Sequence, residues 1–474
     1  MPISTPSHSI LGKFSTLGPR LAVLGSLGLL LVTPGAAFAQ DAAESAISGA
    51  DTAWLLISAA LVLLMTPGLA FFYGGLVSSR NALNTMMMSF VALGVAGVLW
   101  ALLGYSLAFG EGNAFIGDTS MALLRGVGLE VSGSIPHILF MAFQATFAII
   151  TAALISGALI GRMRFGAYML FIAAWGLLVY APVAHWVWGG GWLSGLGALD
   201  FAGGAVVHVN AGAAAVVAAL VLGSRKDFGR QAFLPHNVPF VLLGAGLLWF
   251  GWFGFNGGSA LAANEIAALA FVNTMLAPAA ALVVWALLDH FRTGKITAVG
   301  IATGIVVGLV AITPAAGFIS PVSALLLGAI AALPSYFALQ WRAQSRLDDS
   351  LDVFAAHGVG GITGAILTGV FADSTVNGSA DGLLFGNPGA VGVQALSVFA
   401  VLVFSGSMTF IILKLIGLIV PLRGSSREEG VGMDILNHGE EAYASGDGAI
   451  LILDEEINGF GAPEGTGASR SHAS

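Results

Sequence analysis

The 474-residue sequence contains no cysteine. That excludes disulfide staples, thiol nucleophiles and thiolate-held metals. Charge is also scarce: Asp, Glu, Lys and Arg make up 9% of the chain, against about 25% in a soluble domain. A water-exposed surface for a chain of this length is not available from so few ions. An excess of basic residues is missing as well. The net charge is -8, which removes the electrostatic basis for binding nucleic acid. A nucleophile with a partner base is not recognisable, so the chain does not read as an enzyme. No cofactor motif stands out, and no cofactor or metal is expected.

Apolar residues dominate instead, at 57% of the chain, together with 66 glycines. The glycines follow no three-residue period. They suit apolar helices that approach one another closely in lipid. Apolar stretches recur at 52–74, 83–109, 136–160, 167–188, 201–222, 238–257, 263–289, 295–313, 319–339, 354–371 and 391–421. A span needs about 20 apolar residues, so the expected fold is an all-α polytopic membrane protein of eleven transmembrane helices.

Lys13 and Arg20 precede an apolar run from Leu21 to Val32, and Ala37-Phe38-Ala39 follows. Residues 1–39 therefore read as a signal peptide cut before Gln40 rather than as a further span, for which the run is short. Arg80, Arg162, Arg164, Arg225, Lys226, Arg230, Arg292, Lys295, Arg342 and Arg346 fall in alternate loops, and Arg423 and Arg427 follow the last span. Arg125 is the one Lys or Arg in the intervening loops. By the positive-inside rule the mature N-terminus lies outside and the C-terminus in the cytoplasm. The organisation expected is a signal peptide at 1–39, a membrane domain at 40–422 and a polar cytoplasmic tail at 423–474. The stretch from Glu428 to Ile457 carries enough apolar residues to dock, and the residues after Glu456 read as disordered.

His208 lies in the fifth stretch and His357 in the tenth, each followed by Gly- and Ala-rich sequence. Five spans per half, an odd number, predict inverted five-helix repeats. Ionisable groups inside a span are costly and are functional candidates. Imidazole both donates and accepts a hydrogen bond, so two of them suit guiding a small polar molecule or relaying a proton. The bland alternative for either is a histidine bonded within its own bundle; haem or metal ligation lacks further ligands. Asp200 and Asp352 precede the fifth and tenth spans and read as helix N-caps. Aromatic residues gather toward the outer mouth: Phe143, Phe147, Trp186, Trp188, Trp192, Trp252, Phe253 and Phe255, with Ser259 beyond. Some belong to an interfacial belt. A cluster with a hydroxyl also suits a compact cation held against π-faces.

Seven segments resemble the ammonium transporter family, of which the Rhesus glycoproteins are distant members. They are Met65–Leu76 (MTPGLAFFYGGL), Ala184–Gly190 (AHWVWGG), Ala198–His208 (ALDFAGGAVVH), Pro235–Pro239 (PHNVP), Trp252–Ser259 (WFGFNGGS), Ala263–Asn273 (ANEIAALAFVN) and Asp352–Gly358 (DVFAAHG). The resemblance covers about 51–460 and favours the bacterial branch. It implies that Phe143, Phe147, Trp188 and Ser259 recruit ammonium, and that Phe147 and Phe255 form a stacked gate. His208 and His357 would line the pore, with Asp200 as structural support. It further implies a homotrimer, methylammonium as an analogue substrate, a location in the cell membrane and a cytoplasmic partner of the PII signalling type at Met433–Tyr443 (MDILNHGEEAY). The expected function is selective ammonium uptake, by deprotonation at the outer site and passage of NH3, with a separate proton path as one route. A passive neutral-gas channel of the Rhesus kind and an ammonium sensor of little flux are the alternatives.

Overall fold

The computed structural model describes residues 47–231 and 233–443. The signal-peptide reading at 1–39 and the tail beyond Tyr443 lie outside the described residues. Among the described residues, ten helices are long and apolar enough to cross a membrane. They are α1 (Gly49–Leu76), α2 (Ser79–Phe109), α3 (His137–Ala158), α4 (Phe165–Gly195), α5 (Gly204–Leu222), α6 (Val238–Gly258), α7 (Glu265–Thr293), α9 (Pro321–Gln344), α10 (Phe354–Phe371) and α11 (Gly389–Gly417). Between α7 and α9 lies a shorter apolar helix, α8 (Ala298–Ile312). Two short helices, α12 (Ser426–Val431) and α13 (Met433–His438), follow α11. A two-stranded antiparallel hairpin, β1 (Val131–Ser132) and β2 (Ile135–Pro136), precedes α3.

Apolar sequence makes the spans, and polar punctuation starts them. Ser48, Asn237, Asn264, Thr297 and Ser320 each accept a backbone N–H of the first turn that follows, at α1, α6, α7, α8 and α9 respectively. These caps satisfy donors that have no partner within the helix. The expected span at 295–313 corresponds to α8, which is shorter than its neighbours. α8 has 15 residues, about 22 Å at 1.5 Å per residue. The apolar residues after it fold as turns, because Thr313 and Pro314 lend their carbonyls to Ala202 and Phe201.

Glycine sets the closest helix approaches. A Cβ at Gly244 of α6 would stand 2.2 Å from Phe72 N of α1, so these two helices touch backbone to backbone. At the other critical crossing, a Cβ on Gly212 of α5 would lie 2.4 Å from Gly358 Cα of α10. Both α5 and α10 begin with a six-residue π-helical turn, Gly204–Val209 and Phe354–Val359. Such wide turns are uncommon and concentrate at functional positions. Each holds one histidine of the pair.

The tail residues from Arg423 to Tyr443 dock at one end of the bundle. Asp434 accepts from Leu83 N and Asn84 N, at 3.0 and 2.7 Å, and so caps the start of α2. Arg164 pairs with Glu428, Arg423 with Glu429, and Arg80 donates to Gly430 O. His236 meets the Tyr443 hydroxyl at 2.9 Å. The expected docking of this stretch is present as far as Tyr443.

Candidate functional site

Away from the tail, the bundle gathers a row of rings. Trp188, at the far end of α4, is half-buried and its Nε1 donates to Asp200 O at 2.8 Å. Phe147 of α3 meets it edge-on at 5.9 Å between ring centroids. Phe255 of α6 lies 4.2 Å from Phe147, tilted by 30°. Phe143, one helical turn from Phe147, backs it at 4.9 Å. Ser259 is half-buried just after α6, its hydroxyl donating to Phe255 O at 2.8 Å. The hydroxyl oxygen keeps lone pairs free for a second donor. Farther in, His208 lies 6.2 Å from Phe255 and 5.3 Å from His357, the two imidazoles 20° from parallel. The eight residues that the resemblance assigns, Asp200 included, therefore form one chain of contacts from half-buried Trp188 and Ser259 to the buried histidines. Burial is complete beyond the mouth: Phe143, Phe147, Phe255, His208 and His357 are all at most 3% exposed.

The histidine contact fixes the chemistry of the pair. The two Nδ1 atoms lie 3.2 Å apart, so one donates and the other accepts. In the neutral state the rings must then hold opposite tautomers. His208 Nε2 is buried without a hydrogen-bond partner, which leaves it available to a third group. The pair thus presents one donor and one acceptor nitrogen beyond its own bond.

Asp200 has no contact with these rings through its carboxylate. Its two oxygens accept four backbone N–H groups, of Gly203, Gly204, Ala205 and Val206, at 2.5–3.1 Å. They close the open end of the π-helical turn that carries His208. Burial pushes this carboxyl up, and the four N–H groups pull it back. At α10 the capping expectation falls on the wrong aspartate. Asp349 accepts Phe354 N at 2.7 Å. Asp352 adopts φ +60°, and its carboxylate turns instead to Arg342 at 2.6 Å.

Three other residues named with the mouth, Trp186, Trp192 and Phe253, do not join it. Trp186 donates to Phe115 O, meets Trp192 edge-on and lies tilted against Phe404 of α11. Phe253 stacks on Phe271 of α7. Trp252 does belong to the row and was read only as part of the mouth. It stacks on His208 at 5.4 Å and 19°. Its place three residues before Phe255 puts both on one helix face, which is the signal that reveals it.

At the tail end lies a buried ionic knot that no sequence motif announces. Arg162 is fully buried and donates to Ala158 O, Asp348 O and the Ser350 hydroxyl. Burial draws its pKa down to about 10, against the pull of Asp348. Burial also pushes Asp348 upward, but Arg225 and Arg162 bring it below the usual carboxylate range. Asp349 has no cation of its own; burial, with Asp352 beside it, raises it to about 6.

Residues 53–443 match the model of the Ammonium Transporter Family. The chain belongs to the ammonium transporter family. An ammonium transporter of Aquifex aeolicus is 50% identical over 428 residues, covering 89% of this chain and 100% of the relative. The crystal structure of Saccharomyces cerevisiae Mep2 superimposes with a TM-score of 0.79 at 38% identity, covering 86% of this chain and 94% of Mep2. A structure described as a sensor Amt protein gives a TM-score of 0.77 at 29% identity, covering 82% and 98%. Family membership makes the chain a multi-pass membrane protein of a transporter family, not an enzyme. Its twin histidines and the aromatic and hydroxyl groups beside them suit the handling of NH4+ and NH3. No cluster of three or more metal-ligating side chains occurs among the described residues.

Proposed function

We propose that this protein carries ammonium selectively across the cell membrane. The observation that carries the reading is the single line from Trp188 and Ser259, through Phe147 and Phe255, to the His208–His357 pair. At the mouth, NH4+ rests against the Trp188 and Phe147 faces and donates to Ser259 Oγ. Cation–π contact at such sites is worth about 0.5–2 kcal/mol. The Phe147–Phe255 contact closes the way to the hydrated ion. Charge is costly in the dry interior beyond. The ion therefore gives up a proton near the gate, and NH3 passes along the lumen-facing nitrogens of the histidines. The Nδ1–Nδ1 contact offers a route for the proton to cross separately.

The fold supports further assignments. α5 and α10 correspond in their π-helical starts, their histidines and their carboxylate caps, in keeping with inverted five-helix repeats; α8, though short, completes eleven spans. The arginines at the tail end support a cytoplasmic tail from 423 and an outside N-terminus, with 40–422 as the membrane domain and 1–39 removed. The docked Arg423–Tyr443 segment offers a surface for a PII-type protein, and the assembly proposed from the family resemblance is a homotrimer.

The test is reconstitution in liposomes, with current recorded on a supported membrane after an ammonium pulse. A saturating transient that methylammonium competes for and that Na+ and K+ do not evoke is expected. His208→Ala with His357→Ala should lose current or discrimination. A double variant with unaltered current and selectivity would refute the role of the pair. A silent wild type that still equilibrates ammonia would make the protein a neutral-gas channel, and one that binds without flux would make it a sensor.

A further inference from the structure

The three rings Trp252, His208 and His357 lie near-parallel, with 19° between the first two and 20° between the last two, the imidazoles meeting edge to edge through their Nδ1 atoms. What orients the first ring lies outside the row. Trp252 is 2% exposed, and its Nε1 donates to Thr313 Oγ1 at 2.9 Å. Thr313 is fully buried, and its own proton goes to Leu309 O at 2.8 Å. The hydroxyl is thereby fixed as an acceptor toward the indole. The same short segment holds the other neighbour of His208 by its backbone. Thr313 O accepts Ala202 N and Pro314 O accepts Phe201 N, at 3.2 and 3.1 Å. Pro314 also presses on Gly204, where a Cβ would stand 2.6 Å from the proline ring. The break after α8 therefore grips both the wall behind His208 and the loop that begins its helix.

We propose that Thr313 is a positioning residue for transport: through the Trp252 indole it sets the plane in which His208 meets His357. The inference rests on the reading of the ring row as the substrate path. Two consequences follow from the geometry. The indole N–H is engaged by Thr313 and so is withheld from the path, where a stray donor would detain NH3 or water. The indole face is held flat against His208, which keeps its Nδ1 directed at His357. Without the hydroxyl, Trp252 gains an unpaired buried N–H and turns to seek an acceptor. The imidazole plane then follows it.

The experiment compares Thr313→Val, Thr313→Ser and Trp252→Phe, singly and with Thr313→Val added to Trp252→Phe, in liposomes on a supported membrane. Val matches Thr in shape and lacks the acceptor; Ser keeps it. Thr313→Val is expected to lower the maximal ammonium current about five-fold, the scale of one neutral hydrogen bond. The half-saturating concentration, set at the mouth, should not move. Thr313→Ser should restore the current. In the Trp252→Phe background, which has no indole N–H, adding Thr313→Val should cost nothing further. Size-exclusion profiles matching wild type establish that each variant is folded. A Thr313→Val current equal to wild type, or an equal loss with and without Trp252, would overturn the assignment. If wild type itself neither conducts nor equilibrates ammonium, the transport reading fails instead.

Discussion

Replacing Asp200 by Asn removes one charge and leaves the shape intact, which isolates the carboxylate's work. Each carboxylate oxygen accepts two N–H groups. The amide of Asn retains one acceptor oxygen; its NH2 would face two N–H donors with nothing to accept. Two charge-assisted bonds are lost, each worth about 1.5–3 kcal/mol. The expected local cost is about 3–6 kcal/mol, concentrated on the first turn of α5. Hydrogen–deuterium exchange of the peptide covering 203–209 reads this directly, because opening of that turn exposes the four amides. Protection there should fall by roughly two to four orders of magnitude, while peptides from α9 stay unchanged. The transport current should fall with it, since His208 rides on the same turn. Equal protection of these amides in wild type and Asp200→Asn would refute the argument that the carboxylate holds the turn closed.

Trp188→Leu keeps apolar bulk and removes the π-face, so the half-saturating ammonium concentration should rise about two- to thirty-fold; an unchanged value with unchanged methylammonium competition would count against the outer site. Asp349, raised to about 6 from 3.8, binds more protons folded than unfolded between those values. Its contribution to stability is therefore full below about pH 4 and lost as pH rises through 6; Asp349→Asn should flatten that decline in melting curves between pH 4 and 8, and parallel curves would contradict the burial argument. Asp434→Asn leaves one N–H at the start of α2 without its acceptor, so limited proteolysis should release the tail about ten-fold faster, on the scale of one charge-assisted bond; identical cleavage rates would mean that this cap does not hold the tail.

The spans were legible because lipid demands long apolar runs, and the sequence punctuates them with charge. The row of rings was legible because aromatic residues, a hydroxyl and two imidazoles stand out against so apolar a background, and because the motifs that carry them resemble a known family. Geometry within a run was less so. An apolar stretch does not tell a helix from buried turns: α8 lies within the expected span 295–313, and the apolar residues just after it fold as turns in which Thr313 and Pro314 serve Ala202 and Phe201. Hydropathy is equally blind to a π-helical turn, which differs from an α-helix by one residue of register. The two aspartates before α10 look alike in sequence; φ +60° at Asp352 decides which one reaches the helix start. Trp186 and Trp188 share a helix end but point to different neighbours, as a 100° step per residue requires. The knot of Arg162, Arg225 and Asp348 joins segments far apart in the chain, and nothing local announces it.

The cap on α2 is supplied from 350 residues downstream, by Asp434 to Asn84 N. At a synthesis rate of about 5–20 residues per second, that interval is roughly 20–70 s. Throughout it, the second helix is already made while two of its end amides still await their acceptor. Closure of that helix end consequently waits until the chain has been read as far as residue 434. A messenger cut short between the end of α11 and codon 434 yields spans whose second helix lacks this cap.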